Sequence, residues 1–345
     1  MIIRNPILRA VLFLGMAFSS SLHAYDFRTV AEEHILTGYR QLSESTLALK
    51  HVVHGLCDKT EGVTANDARS LFRNAFKDWQ SIQHIRFGPV QYLSRDYRFE
   101  LWPDKRGTVS KHLAKLLQDP LLLTNEFDIS EKSVAVQGFS ALERILFGQP
   151  PFSQQSCRVI TAITDNLNNM AVDIINDWTQ GKSPFVEFFF HPGPDNPIFG
   201  SENELAGQLL NSLHTQLEFM ITQKLDRPLG NEIDKARGSR AEGWRSKTAL
   251  SALEHNLLAT RQIYLLSFAP KLSRPLAEKI ELAYQDAELT LTRIESPLKQ
   301  AVSDSRQRKQ VVQLRQSLSG LKRLIATNLA QELDLSLGFN SLDGD

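Results

Sequence analysis

The sequence predicts an all-α protein built of two side-by-side antiparallel helical bundles. Apolar residues recur at intervals of three and four along almost the whole chain, the period of helices that each bury one face. Strand signals are scarce. A stretch rich in proline and glycine, HPGPDNPIFGS at 191–201, ends any helix near the middle of the chain. It separates 25–195 from 201–345, and each segment is long enough for one bundle.

Taken in order, the first helix is marked by Ile35, Tyr39, Leu42, Thr46, Leu49, Val53 and Leu56, one face of a run from Phe27 to Leu56. Thr64 and Asp67 form a capped start for a helix through His84. Further helices are expected near 109–118 and 131–147. From Gln154 to Trp178 the stripe is Ile160, Ile163, Leu167, Met170, Ile174 and Trp178. FVEFFF at 185–190 is the best strand candidate, and it reads better as a buried turn packed on helices. In the second half, helices are expected near 202–224 and 245–268. Ser273, with Pro275 in the first turn, starts another. Val311, Leu314, Leu318, Leu321, Ile325 and Leu329 form the last stripe. The polar stretch DRPLGNEIDKARGSRAEG at 226–243 reads as a long mobile connection. The tetrapeptide SALE occurs at Ser140–Glu143 and again at Ser251–Glu254, each within a predicted helix, which suits an internal duplication.

Composition removes several classes of function. The chain has 345 residues, 42% of them hydrophobic, with 39 Lys+Arg against 39 Asp+Glu. That is too apolar for a disordered chain. A balanced charge does not suit a nucleic-acid binder, which needs a basic surface to displace counterions. Arg4 and Arg9, an apolar run from Ala10 to Phe18 and the run SSSLHA follow the three-part layout of a secretory signal peptide over 1–24, with cleavage after Ala24. The apolar run is about half the roughly 20 residues that span a membrane. No cysteine follows it to accept a lipid, and no later segment is apolar enough to span. The mature chain, having lost Arg4 and Arg9, carries 37 basic and 39 acidic residues. It is expected to be exported, soluble and periplasmic. In that oxidising compartment Cys57 and Cys157, the only two cysteines, are expected to form a disulfide. Closing a loop of roughly 100 residues stabilises by up to about 4.7 kcal/mol in the chain-entropy model.

The densest chemistry lies between Trp79 and Phe147. DWQSIQHIRFGPV ends a helix at Arg86, RFELWPDKRGTV places Trp102, Asp104, Lys105 and Arg106 in a loop, and VAVQGFSALERILFG carries Glu143 on a helix. A helix-end Arg, a loop Trp and a loop Asp are the material of a concave polar site, and equally of two structured loops with surface ion pairs. Gly138, one turn before Glu143, lets that helix approach a neighbouring loop closely. His51, His54 and Cys57 recur every three residues, a metal-ligand spacing that a disulfide at Cys57 would dissolve. His214 with Glu218 and the basic residues of the last helix read as solvated faces, and Glu254 and His255, being adjacent, point apart on a helix. Ser140 sits inside a helix without the strand–turn–helix setting of a hydrolase nucleophile.

These segments resemble the imelysin-like family, also called the insulin-cleaving membrane protease family, of bacterial envelope proteins. That family carries a helix motif GxHxxE preceded by a Gly-Pro turn and a Trp-Pro segment. Gly138, Glu143, Gly88-Pro89 and Trp102-Pro103 match in that order. The resemblance spans roughly 30–335 and implies the two-bundle fold. Within the family the chain is most similar to a branch of periplasmic proteins with WPDKRG and an ALER-type motif. It departs where the motif has His, for this chain has Ser140 in GFSALE. Positions three apart share a helix face, so His and Glu there can grip a cation together, whereas serine replaces imidazole neither as a transition-metal ligand nor as a general base.

The resemblance therefore implies a non-catalytic binding component in the acquisition of iron or another metal, beside an envelope metal transporter or a redox partner. Its ligand pocket would use Arg86, Trp102, Asp104, Arg106, Ser140 and Glu143, with Glu143 the one metal-ligand candidate. Glu143 is also read as a buried structural carboxylate paired with Arg86 or Arg106. The alternatives are a divergent metallopeptidase and a structural module that holds a partner in the cell envelope.

Overall fold

The computed structural model describes residues 25–149 and 151–338. The export signal expected over 1–24 lies outside the described residues. Among those described there is no strand, and no helix is long and apolar enough to cross a membrane.

Three long helices make the first half. Helix α1 (27–57) buries Ile35, Tyr39, Leu42, Thr46, Leu49 and Val53, the face its periodicity marks. It packs along α2 (Ala65–Ile82) and α5 (Gln154–Thr179). The start of α2 is a capping box: the Asp67 amide donates to Thr64 Oγ1, and Thr64 N donates back to the Asp67 carboxylate at 2.9 Å. Cys57 is disulfide-bonded to Cys157, with Cα atoms 5.4 Å apart, which ties the end of α1 to the first turn of α5.

Between α2 and α5 the chain is less helical than its pattern predicts. Helix α3 (Thr108–Leu116) forms as expected, but the helix expected over 131–147 is two pieces. A 3₁₀ turn at Val134–Val136 is followed by an extended Gly138 and then by α4 (Phe139–Leu146). The break is steric. A Cβ at position 138 would sit 2.1 Å from Phe99 O and 2.2 Å from Arg98 O, so the chain must straighten and carry glycine to pass that backbone. FVEFFF is α6 (Phe185–Phe190), a short helix rather than a strand or a turn. Its Phe185 and Phe189 stand edge-on to Trp178.

The second half is α7 (202–229), α8 (249–268), α9 (Arg274–Thr292) and α10 (307–332). Helices α9 and α10 pair along their lengths, and α7 lies against α8 and α10. Four helices carry a π-helical turn: Val30–Leu36 in α1, Met220–Asp226 in α7, Tyr264–Phe268 in α8 and Leu324–Leu329 in α10. The connection after α7, read from sequence as mobile, is held at several points. Arg308 donates to Leu229 O and Gly230 O at 2.7 and 3.0 Å, and Arg237 N to Pro228 O at 2.8 Å. Gly238 passes so close to the Lys299 carbonyl that no side chain would fit there. Polarity misled the sequence reading, because the connection is held through its backbone groups, by the Arg308 side chain and by neighbouring backbone.

The two halves meet where α8 crosses α2. Asn256 Nδ2 donates to Gln80 O at 2.6 Å, and Ser81 Oγ lies 3.1 Å from His255 Nδ1. Beside them His34 Nε2 and His84 Nε2 are 2.8 Å apart, with His34 Nδ1 2.8 Å from Gln262 Oε1 on α8. Residues 191–201 form the loop between α6 and α7, yet the apolar core continues from Phe27 to Leu335 without a gap between the halves.

Candidate functional site

Gly138 seats α4 against the chain at 98–102, and the site grows from that contact. Ser140 Oγ donates to Leu101 O at 3.1 Å. One turn on, Glu143 is only 6% exposed and points across to the second half. Its Oε1 accepts from Ser246 N at 2.9 Å and from Ser246 Oγ at 2.7 Å. Glu143 is thus a buried carboxylate, but its partners are a backbone amide and a hydroxyl rather than Arg86 or Arg106. It fastens α4 to the connection between α7 and α8.

The loop that follows the Trp102-Pro103 cis peptide is ordered by Asp104. Its carboxylate accepts from Thr108 N and Val109 N at 2.7 and 3.1 Å, capping α3, and pairs with Arg144 at 3.2 Å. Arg144 also donates to Ser140 O at 2.6 Å.

Together these parts line a cavity of about 320 Å³. Trp102, Asp104, Ser140 and Glu143 form one wall. Arg227, Arg240, Trp244 and Arg245 come from the end of α7 and the connection beyond it. Two sequence candidates lie elsewhere. Arg86 lines a hollow of about 20 Å³ that shares Glu100 and Trp102 with the cavity, and its guanidinium lies over the Phe219 ring. Arg106 is exposed and does not line the cavity.

Behind the cavity is a charge network the sequence reading missed. Lys224, 1% exposed, donates to Glu242 at 2.6 Å and to Gln80 Oε1 at 2.5 Å. Glu100 accepts from Trp79 Nε1 at 3.1 Å and from Gln80 Nε2 at 3.2 Å. Burial, and then the neighbouring Glu242 carboxylate, push Glu100 well above the usual carboxylate range. Burial lowers Lys224, and the Glu242 charge opposes it. A signal for Lys224 exists: it continues the apolar row Leu210, Leu213, Leu217, Ile221, where a lysine must find a buried partner. Glu242 and Arg245 had no such signal, lying in a segment polar throughout.

The other metal-type spacings do not assemble. Cys57 is in the disulfide, and His54 Nε2 is 2.9 Å from Asp165. Glu218 pairs with Lys322. Among the described residues no three His, Cys, Asp or Glu side chains gather as a metal site. The cavity residues fit a bare cation poorly. Glu143 is engaged by Ser246, Asp104 by Arg144 and two amides, and a lysine ammonium already sits between Glu242 and Gln80.

Fold and site together define an all-helical protein with a polar cavity walled by both halves of its chain. The chain belongs to the imelysin family: a peptidase-class family model described as imelysin matches residues 35–325. Among solved structures it is similar to an imelysin-like protein from Psychrobacter arcticum, with a TM-score of 0.76 and 19% identity over 91% of this chain and 96% of that one. It is also similar to a protein of Parabacteroides distasonis provisionally named iron-regulated protein A precursor. That match has a TM-score of 0.70 and 15% identity over 87% and 94% of the two chains. No curated protein matches the sequence.

Proposed function

We propose that this is an exported, periplasmic imelysin-like protein that binds a small ligand without transforming it, as a component of iron or other metal acquisition beside an envelope transporter or redox partner. The observation that carries the reading is the cavity between α4 and the connection at 230–248. Its floor residues are spent on structure: Ser140 Oγ is turned to Leu101 O, with no histidine in the cavity lining to activate it. Glu143 holds Ser246, and Asp104 caps α3. Peptide hydrolysis needs a paired nucleophile and base or a built metal site, and these residues supply neither arrangement. The name of the Parabacteroides protein, which shares the fold, adds weight to the iron context.

The test is uptake of labelled iron under iron starvation by cells lacking the protein, complemented with wild type or with Ser239→Trp. Ser239 is an exposed residue of the cavity rim, so tryptophan there obstructs the cavity without entering the core. Wild type is expected to restore uptake and Ser239→Trp is not. Equal uptake in all strains would overturn the role in acquisition. Chelator-sensitive cleavage of a denatured protein by the purified chain would overturn its non-catalytic part.

A further inference from the structure

Charge around the cavity is unevenly answered. Of its four guanidiniums only Arg144 has a carboxylate partner, Asp104. Arg227, Arg240 and Arg245 make no ion pair among the described residues. Against them stand Glu143, whose Oε1 takes two hydrogen bonds from Ser246, and Asp104, whose charge reaches Arg227 but which is already engaged by Arg144 and two backbone amides. Burial and then the Glu242 carboxylate push Glu100 well above the usual carboxylate range. Arg227 Nη1 is closed off from solvent and has no hydrogen-bond partner, a costly state for a charged donor. Like charges also face one another. Burial and then the Arg240 charge lower the Arg227 pKa, and burial and then the Arg245 charge lower that of Arg144. Arg245 is laid over the Trp244 ring at 4.2 Å, so part of its freedom is already lost. Three cationic forks gathered on one cavity, none of them in an ion pair among the described residues, form a surface suited to an oxyanion. Guanidinium recognises carboxylate and phosphate through paired, charge-assisted hydrogen bonds.

We infer that the cavity binds a small polyanion bearing carboxylate or phosphate groups, held by Arg227, Arg240 and Arg245, either as the free acid or wrapped around a metal ion. This rests on the proposed binding function and specifies its ligand. It also resolves the poor fit to a bare cation: in a chelate the metal's charge is met by the ligand's own oxygens, and the protein need supply only cations. Lys224 takes no part, being engaged by Glu242 and Gln80.

Titration calorimetry on the purified mature chain tests the inference with three probes: sodium citrate, its ferric complex and inorganic pyrophosphate. At least one is expected to bind saturably, with affinity falling as salt rises. Arg227→Gln, Arg240→Gln and Arg245→Gln should each weaken it at least tenfold. Arg106→Gln, a change of the same charge outside the cavity, should leave it unaltered. Arg240 is exposed, so its variant keeps the test valid if a more buried arginine proves necessary for folding. At least tenfold tighter binding of the ferric complex than of citrate identifies the chelate as the ligand form, and equal binding identifies the free anion. No saturable binding of any probe, or binding that Arg106→Gln weakens as much as the cavity variants do, overturns the inference. A loss of iron uptake with Ser239→Trp but no anion binding would leave the acquisition role standing and remove only the anion.

Discussion

The same four residues, SALE, occur once in each half of the molecule and end in opposite environments. In α4, Glu143 is buried and joins the halves through Ser246; in α8, Glu254 is exposed to solvent. Both segments are helical, and both bury their Ala-Leu pair. The difference lies in what precedes the tetrapeptide. Gly138 admits the backbone of Arg98 and Phe99 against the start of α4, turning its glutamate inward, whereas α8 begins at Ala249 and packs on α2 as an ordinary helix. The same tetrapeptide can recur in two packed helices without recreating the site, because the site depends on a close approach outside the tetrapeptide.

The strongest way to break this comparison is Gly138→Ala. Its methyl meets two carbonyl oxygens that cannot move aside as a side chain would, and a loss of about 3 kcal/mol or more is expected in equilibrium urea unfolding. Ala249→Gly, at the matching place before the second SALE, should cost only the helix-propensity difference of about 1 kcal/mol.

The seam between the halves should fail in acid. Burial holds His34 at about 4, and burial followed by the charges of His34 and Arg86 holds His84 well below its ordinary value. Both are held below their ordinary value when folded and take up protons more readily when unfolded, so their contribution is complete above about pH 6.5 and falls with pH below that, for His34 down to about 4. For His34 alone this is about 3 kcal/mol. Urea midpoints measured between pH 7 and 4 should fall, and the fall should shrink in His34→Gln. An unchanged slope in that variant would show that other groups carry the acid sensitivity.

Smaller effects sharpen the contrast between the glutamates. Glu143→Ala leaves the buried Ser246 amide and hydroxyl without their acceptor and is expected to cost about 2 kcal/mol in thermal unfolding. Glu254→Ala, at the surface, should stay within about 0.5 kcal/mol. Ser140→Ala removes one hydrogen bond, to Leu101 O, and should fall between them at about 1 kcal/mol.

Most of the fold was legible because long helices write their buried face into the sequence at a fixed period. The stripes of α1, α5 and α10 all lie in the core, and the pair Cys57–Cys157 is bridged. Legibility ended where the structure depends on contacts far apart in sequence. The break before α4 is set by a backbone some forty residues earlier, and the fixed connection at 230–248 is held by Arg308 and Lys299. The candidate site divided the same way. Trp102, Asp104, Ser140 and Glu143 stood out as residues of one distinctive stretch and share one cavity. The arginines facing them come from a segment whose composition is that of any polar loop, and only folding brings them across.

Because the cavity takes one wall from each half, whatever occupies it must act as a removable cross-link. Occupancy and resistance to unfolding are then a single quantity viewed from two sides. At a hundred times its dissociation constant an occupant adds about 2.7 kcal/mol to the stability of the whole chain. A graded rise in melting temperature across a panel of candidate anions would therefore rank them by affinity.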